Sequence, residues 1–199
     1  MVRRKVEVRR EEILAATLDE VVVRGLAHVR VGDVADALGV SRALVFYHFE
    51  TKEALLAAAL EYAVDRDLAR LDATLARDPD AVQRLRHVLH AYGPQGKATG
   101  WTLWVDAWSA ALRDPELRGT LRRLDRRWTA ALETVIRSGV DEGVFSCPDP
   151  VASARRLAAL LDGLAVQVTV HRQLSRAQMT RWVGDAAAEE VRVDPQVLS

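Results

Sequence analysis

Cys147 is the only cysteine in the chain. One thiol builds neither an internal disulfide framework nor a cysteine-based zinc site. Asparagine is absent altogether, which removes every N-glycosylation acceptor. Long apolar runs are missing as well: the longest charge-free apolar stretch, Gly163 to Val170, is far short of the ~20 residues a membrane span needs. The opening MVRRKVEVRREE is charged with no apolar run behind it, unlike a secretory signal. These absences predict a cytoplasmic protein with no membrane partner. An excess of either charge sign is lacking too, because Lys+Arg and Asp+Glu are both 28. That balance excludes a globally basic, histone-like protein, yet a local basic patch can still bind nucleic acid.

What is present is helix former. Ala, Leu, Arg and Glu dominate the 199 residues, 49% are hydrophobic, and strict alternation is scarce. The pattern predicts about nine helices. The first spans about 9–24, with Ile13, Leu14, Thr17, Leu18 and Val21 as its apolar stripe and Gly25 as its end. The second covers about 32–38, stopped by Gly39, and Ser41 caps a third over 42–49. Thr51 caps a long fourth helix from Lys52 to Leu71 or beyond. Further helices are expected over about 81–92, 101–112, 116–142, 151–174 and, capped by Ser175, 176–188. The tail after Glu189 is expected to fray.

Helix, tight turn, helix over residues 32–51 is helix-turn-helix geometry. In it the second helix lies in the major groove with its N-terminal residues against base edges. Many helical hairpins carry a glycine between them, so this feature alone is not specific. The longer string REEILAATLDEVVVRGLAHVRVGDVADALGVSRALVFYHFETKEALLAAAL adds an ordered set of markers: DVA-x-x-LGVS, then YHF-x-x-KE-x-LL.

Over about Arg9 to Leu60 this string resembles the DNA-binding domain of the TetR family of transcriptional regulators. The resemblance implies that Ser41 caps the recognition helix and that Arg42, Ala43 and Leu44 face bases. It also implies that Tyr47 reaches bases or backbone, and that His48 and Lys52 meet phosphates. The chemistry fits: Arg42 can donate bidentately to guanine O6 and N7, and Ala43 and Leu44 can touch thymine methyls. Lys52 and the helix N-termini attract phosphate. The chain departs from the family pattern at position 43 (Ala for Gly), 44 (Leu for Thr) and 46 (Phe for Tyr). Arg30 stands where Ser or Thr would cap the second helix, and it can contact phosphate instead. Phe46 and Phe49 read as core residues, and Tyr47 as exposed. Residues 1–10 hold five basic residues and one acid, either a solvated tail or an arm over phosphates.

The expected architecture is all-α. A three-helix DNA-binding head (7–67) precedes a larger helical domain (68–190) for effector binding and dimerisation. The stretch WTLWVDAWSAALRDPELR, followed later by LLDGLAVQV, resembles the C-terminal domains of the BetI-like branch of the family. Trp101, Trp104, Val105 and Trp108 share one helix face, either as core packing or as the wall of an effector pocket. Tryptophan faces can hold a ligand cation. Gln167 and His171, four apart on the most apolar helix, are polar anchors of a cavity or dimer contacts. Leu157, Leu160, Leu161, Leu164 and Val168, with the ninth helix, are the dimer candidates. Such a homodimer would bind a palindromic DNA operator and respond to a small-molecule effector.

An enzyme is not expected. GPQGKATG departs from a phosphate loop because Ala98 follows Lys97 where Ser or Thr is needed. His87 and His90 lack the partners of a metal site, and Cys147 lacks a charged activator. No cofactor is expected. The rival reading is a helical ligand-binding protein whose head no longer binds DNA specifically.

Overall fold

The computed structural model describes residues 2–94 and 100–198, with side chains from Arg10 onward in those ranges. The phosphate-loop-like stretch falls mostly on 95–99, outside the described residues, and so do the side chains of the basic arm before Arg10. Among the described residues there are nine α-helices and no strand. They are α1 (Val2–Arg24), α2 (Val31–Leu38), α3 (Arg42–His48), α4 (Lys52–Leu75), α5 (Ala81–Tyr92), α6 (Trp101–Ala111), α7 (Pro115–Asp141), α8 (Pro150–Val166) and α9 (Arg176–Val191). The all-α expectation holds.

The chain forms two compact units: Met1–Arg66 with Thr102–Leu124, and Asp67–Trp101 with Asp125–Ser199. The division falls inside α4 and α7 and one residue into α6. The expected second domain, 68–190, includes residues 102–124 of the first unit, and the expected boundary at 67–68 lies next to the division in α4. A long-range hydrogen bond marks this grouping: Asp106 Oδ2 on α6 accepts from the Leu26 N–H just after α1, at 3.2 Å. Gly25, at φ 81°, ends α1, and a Cβ added there would lie 3.2 Å from the same oxygen.

In the first unit the expected stripe of α1 is wholly buried, and Val34, Ala35, Val45 and Phe49 join it in the core. Thr17 is fully buried but satisfied, donating to Ile13 O at 2.7 Å. Gly39 turns the chain between α2 and α3 in the left-handed region, at φ 63°, where a residue with a Cβ is strained.

In the second unit Leu85, Leu132, Ile136, Leu157, Leu161 and Met179 are fully buried. Polar ties brace its rim. Arg84 pairs with Glu142, and Arg156 pairs with both oxygens of Glu190. Ser153 donates to Glu190 at 2.6 Å and lies 3.2 Å from the buried Cys147 thiol.

Two expectations fail here. The helix expected over 151–174 stops at Val166, and Gln167–His171 widens into a π-helical turn. Arg172, at φ 53°, closes that turn by donating its N–H to Gln167 O. Val168, Thr169 and Val170 are consecutive β-branched residues, which crowd the preceding turn of an α-helix. The tail is also better ordered than expected: α9 reaches Val191, Pro195–Val197 forms a 3₁₀ turn, and Leu198 is buried.

Candidate nucleic-acid interface and effector site

Helix α3 is short, and its inner side is limited to Val45 and the C-cap residue Phe49. The remaining positions sort by helical spacing. Arg42, Ala43, Phe46 and Tyr47 are all exposed, forming one broad face, while Leu44 and His48 are half-buried at its borders. Phe46 is 45% exposed and Tyr47 78%. Phe46 is therefore not core, contrary to the sequence expectation. A seven-residue helix anchored by two inward residues has no room for a third aromatic inside. Phe49 is the core aromatic, with the Arg10 guanidinium 4.9 Å above its ring. The Tyr47 and His48 rings meet edge-on at 5.4 Å.

Ser41 caps α3 as expected from its position, its Oγ accepting from Leu44 N–H at 3.2 Å. Thr51 does the same for α4, accepting from Ala54 N–H at 3.0 Å. Arg30 is the N-cap residue of α2, and its side chain does not cap. The cap works in reverse: Asp33 Oδ2 accepts from the Arg30 backbone N–H at 2.9 Å, leaving the Arg30 side chain exposed. Lys52 starts α4, and its ammonium donates to Ala27 O at 3.4 Å. Arg30 and Lys52 line a recess of about 380 Å³ together with Arg24, Ala27, His28 and Asp33.

The predicted effector residues are distributed over both units. Trp101 is buried in the second unit, while Trp104, Val105 and Trp108 are half-buried in the first. Gln167 is half-buried within the π turn, and His171 is exposed, so His171 does not sit inside a cavity. Leu157, Leu161 and Leu164 are buried within the chain's own core, which leaves Leu160 and Val168 as the half-exposed members of the dimer set.

A different cluster forms around Trp101 in the second unit. Its indole N–H donates to Tyr92 O at 3.2 Å. The Tyr92 ring lies 6.5 Å from the Trp101 ring and packs edge-on against Trp128 at 5.6 Å. All three aromatics are less than a tenth exposed. Tyr92 donates its hydroxyl to Asp162 Oδ1 at 3.2 Å. Burial pushes the Asp162 carboxyl up to about 6, aided by the nearby Asp125 and opposed by the Tyr92 hydrogen bond. Burial also raises the Tyr92 hydroxyl, with the two carboxylates adding to it. Asp125 is raised by partial desolvation, against the pull of Arg126. Asp125 and Asp162 both open onto a groove of about 640 Å³ lined by α7 and α8, whose other charged groups are Arg126, Glu133 and Arg155. None of the three aromatics lines the groove; its lining offers a ligand the carboxylates of Asp125, Glu133 and Asp162, and a desolvated carboxylate there favours a cation.

Sequence reasoning missed Tyr92, Asp125, Trp128 and Asp162. One signal was available: Asp162 interrupts the apolar run Leu160-Leu161-Asp162-Gly163-Leu164, and an unpaired carboxylate is costly inside an apolar helix face.

An all-helical chain that displays a capped recognition helix on one compact unit and encloses an aromatic and acidic cluster in another belongs to the class of ligand-responsive, DNA-binding regulators. Comparison narrows this. Residues 13–59 match the family model of bacterial regulatory proteins of the tetR family, and residues 81–192 match the C-terminal model of BetI-type transcriptional repressors. The HTH-type transcriptional regulator BetI of Stenotrophomonas maltophilia is 30% identical over 163 residues, covering 79% of each chain. A transcriptional regulator from Saccharomonospora viridis, solved in complex with choline, is 32% identical with a TM-score of 0.78, covering 90% of this chain and 95% of that one. A TetR-family regulator from Rhodococcus sp. is 28% identical with a TM-score of 0.80, covering 92% and 98%. The chain belongs to the TetR family and carries a BetI-type repressor domain: it is a ligand-responsive, DNA-binding transcriptional repressor. No helix among the described residues is long and apolar enough to cross a membrane.

Proposed function

We propose that this repressor works in the cytoplasm as a homodimer whose heads, within residues 7–67, bind a palindromic operator. An organic cation of the choline type, held within 68–190, would release it. Two recognition helices roughly 34–36 Å apart would enter successive major-groove turns. Arg42, Ala43, Leu44, Phe46 and Tyr47 meet bases and sugars, while Arg30, His48 and Lys52 meet phosphates. Leu160 and Val168, with the exposed Trp182 of α9, supply apolar area for the partner protomer.

The observation that carries the effector reading is Asp162, hydrogen-bonded to Tyr92 within the aromatic cluster and open to the groove. The cation docks against the Asp162 and Asp125 carboxylates, and the desolvated charge gains a counter-ion. The regulator from Saccharomonospora viridis that was solved with choline supports this choice of ligand class. Helix α6 is the proposed coupling element. It begins with Trp101, bonded to Tyr92, and carries Asp106, bonded to Leu26 at the end of α1. A ligand that favours one arrangement of α6 then changes DNA affinity by its differential affinity for the two states.

The test is fluorescence anisotropy of the purified protein on the DNA upstream of its own gene, against a scrambled duplex at fixed salt. The expected result is preferential binding that weakens steeply with salt and is reversed by choline but not by its uncharged carbon isostere, 3,3-dimethylbutanol. Equal binding to both duplexes overturns the operator reading. Preferential binding that choline leaves untouched overturns the effector reading.

A further inference from the structure

Gly32 is an odd residue for its place. It sits in the first turn of the eight-residue α2, where glycine lowers helix stability relative to alanine. Its φ is not in the left-handed region, so no backbone requirement calls for glycine. What replaces the missing side chain is Arg42. A Cβ built on Gly32 would lie 2.7 Å from Arg42 Nη2, 2.8 Å from Nε and 2.9 Å from Cζ. Those are its three nearest atoms, so the guanidinium lies over the bare backbone of α2 and covers Gly32, which is buried.

Arg42 is the first residue of the recognition helix, at the end that faces base edges. An exposed arginine normally samples many rotamers, and each must be lost when the fork meets a guanine. A guanidinium already laid on a flat floor has part of that ordering done in advance. The geometry points to Gly32 as a positioning residue for specificity: it seats the Arg42 guanidinium on α2, so that the arginine approaches the major groove in one orientation. Gly32 itself touches no base. The inference rests on the operator reading above and adds a residue that acts through Arg42.

The seat has a clean test, because the obstructing atoms belong to the far end of a flexible side chain. In G32A the new methyl displaces the guanidinium, while α2 gains a better helix former. The fold is therefore retained, with a melting temperature at or above that of the wild type. Wild type, G32A, R42A and the double variant are each measured on the duplex that wild type enriches most from a randomised pool, and on a scrambled duplex. The expected result is that G32A loses about five- to 150-fold of the operator-over-scrambled ratio, as R42A does, with no further loss in the double variant. The salt slope of G32A stays at the wild-type value, since no phosphate contact is removed. A second arm needs no DNA: the Arg42 Nε–Hε resonance, assigned by its loss in R42A, shifts in G32A. An unchanged ratio in G32A, an equal additional loss in the R42A background, or an unmoved Nε–Hε resonance would each overturn the seat. Wild type with no preference at all would overturn the operator reading instead, and the resonance arm then decides whether the seat exists.

Discussion

The two regions of this repressor carry their chemistry in opposite ways. Helix α3 puts Arg42, Ala43, Phe46 and Tyr47 outward, and its core holds little more than Val45 and Phe49. The effector cluster turns inward: Tyr92, Trp101 and Trp128 are buried, and Asp162 is desolvated far enough to raise its carboxyl to about 6. A polyanion can meet side chains wherever they project, so the head needs only display and register. A small cation gains little at an exposed site, and on the proposed reading the second region holds a desolvated charge that a ligand would satisfy. The difference predicts that substitutions in the head change binding with small effects on the fold. Substitutions in the cluster should change binding and stability in opposite directions.

The largest expected effect breaks the comparison most directly. D162N removes the carboxylate but keeps an acceptor for the Tyr92 hydroxyl. Losing the buried partner of a cation costs about 2–5 kcal/mol of choline affinity, read by isothermal titration calorimetry. The same change relieves the desolvated charge, so stability at neutral pH rises, by about 1–3 kcal/mol, read by urea denaturation. Weakened choline binding together with a weakened fold would assign Asp162 to structure rather than to the ligand.

In the head, R42A is expected to lose about 1–3 kcal/mol on the operator and to relax preference at one base pair per half-site. K52A should weaken operator and scrambled duplexes alike and lower the salt slope by about one. Equal losses on both duplexes for R42A would remove it from base reading and erase the contrast with Lys52.

The asymmetry also explains what could be read in the chain. The head is legible because its markers are contiguous: Gly39, Ser41 and Thr51 lie within one short string, each doing a local job for the turn or helix start it occupies. The effector cluster draws on positions 92, 101, 125, 128 and 162, contributed by α5, α6, α7 and α8. No local spacing links them, whereas the Trp101, Trp104 and Trp108 stripe is visible in the sequence itself; of these only Trp101 belongs to the second unit. Phe46 departs from the expectation that aromatics at helical spacing pack inside, because that rule presumes a helix long enough to have an inside. Leu-rich periodicity predicts an α8 that continues to 174, and the β-branched run at 168–170 works against it.

A pH series sharpens the comparison at about the scale of one order of magnitude. The Asp162 carboxyl is raised from 3.8 to about 6, so the folded chain binds a proton more tightly than the unfolded one. Between those values stability falls as pH rises. Choline needs the carboxylate, so its affinity rises through the same range and levels off above about 6. At about pH 5 binding should be about tenfold weaker than at neutral pH. Asp125, also raised by partial desolvation, adds to the same trend. In D162N most of this pH dependence should disappear. If it persists in full, another group controls binding.

The smallest effect tests whether the head is as separable as its display suggests. Ser41 Oγ accepts from Leu44 N–H and closes the first turn of α3. Replacing it with alanine leaves that N–H without its side-chain acceptor and costs about 1 kcal/mol. Helix α3 is so short that this loss frays the face that carries Arg42 and Ala43. S41A should therefore weaken operator binding a few-fold and speed amide hydrogen exchange in α3. Choline affinity, measured in the same preparation, should not move, because Ser41 shares no hydrogen bond with the cluster around Tyr92. A matching drop in choline affinity would mean that order in α3 and order at the effector site are one equilibrium, and the two regions would then be a single coupled body.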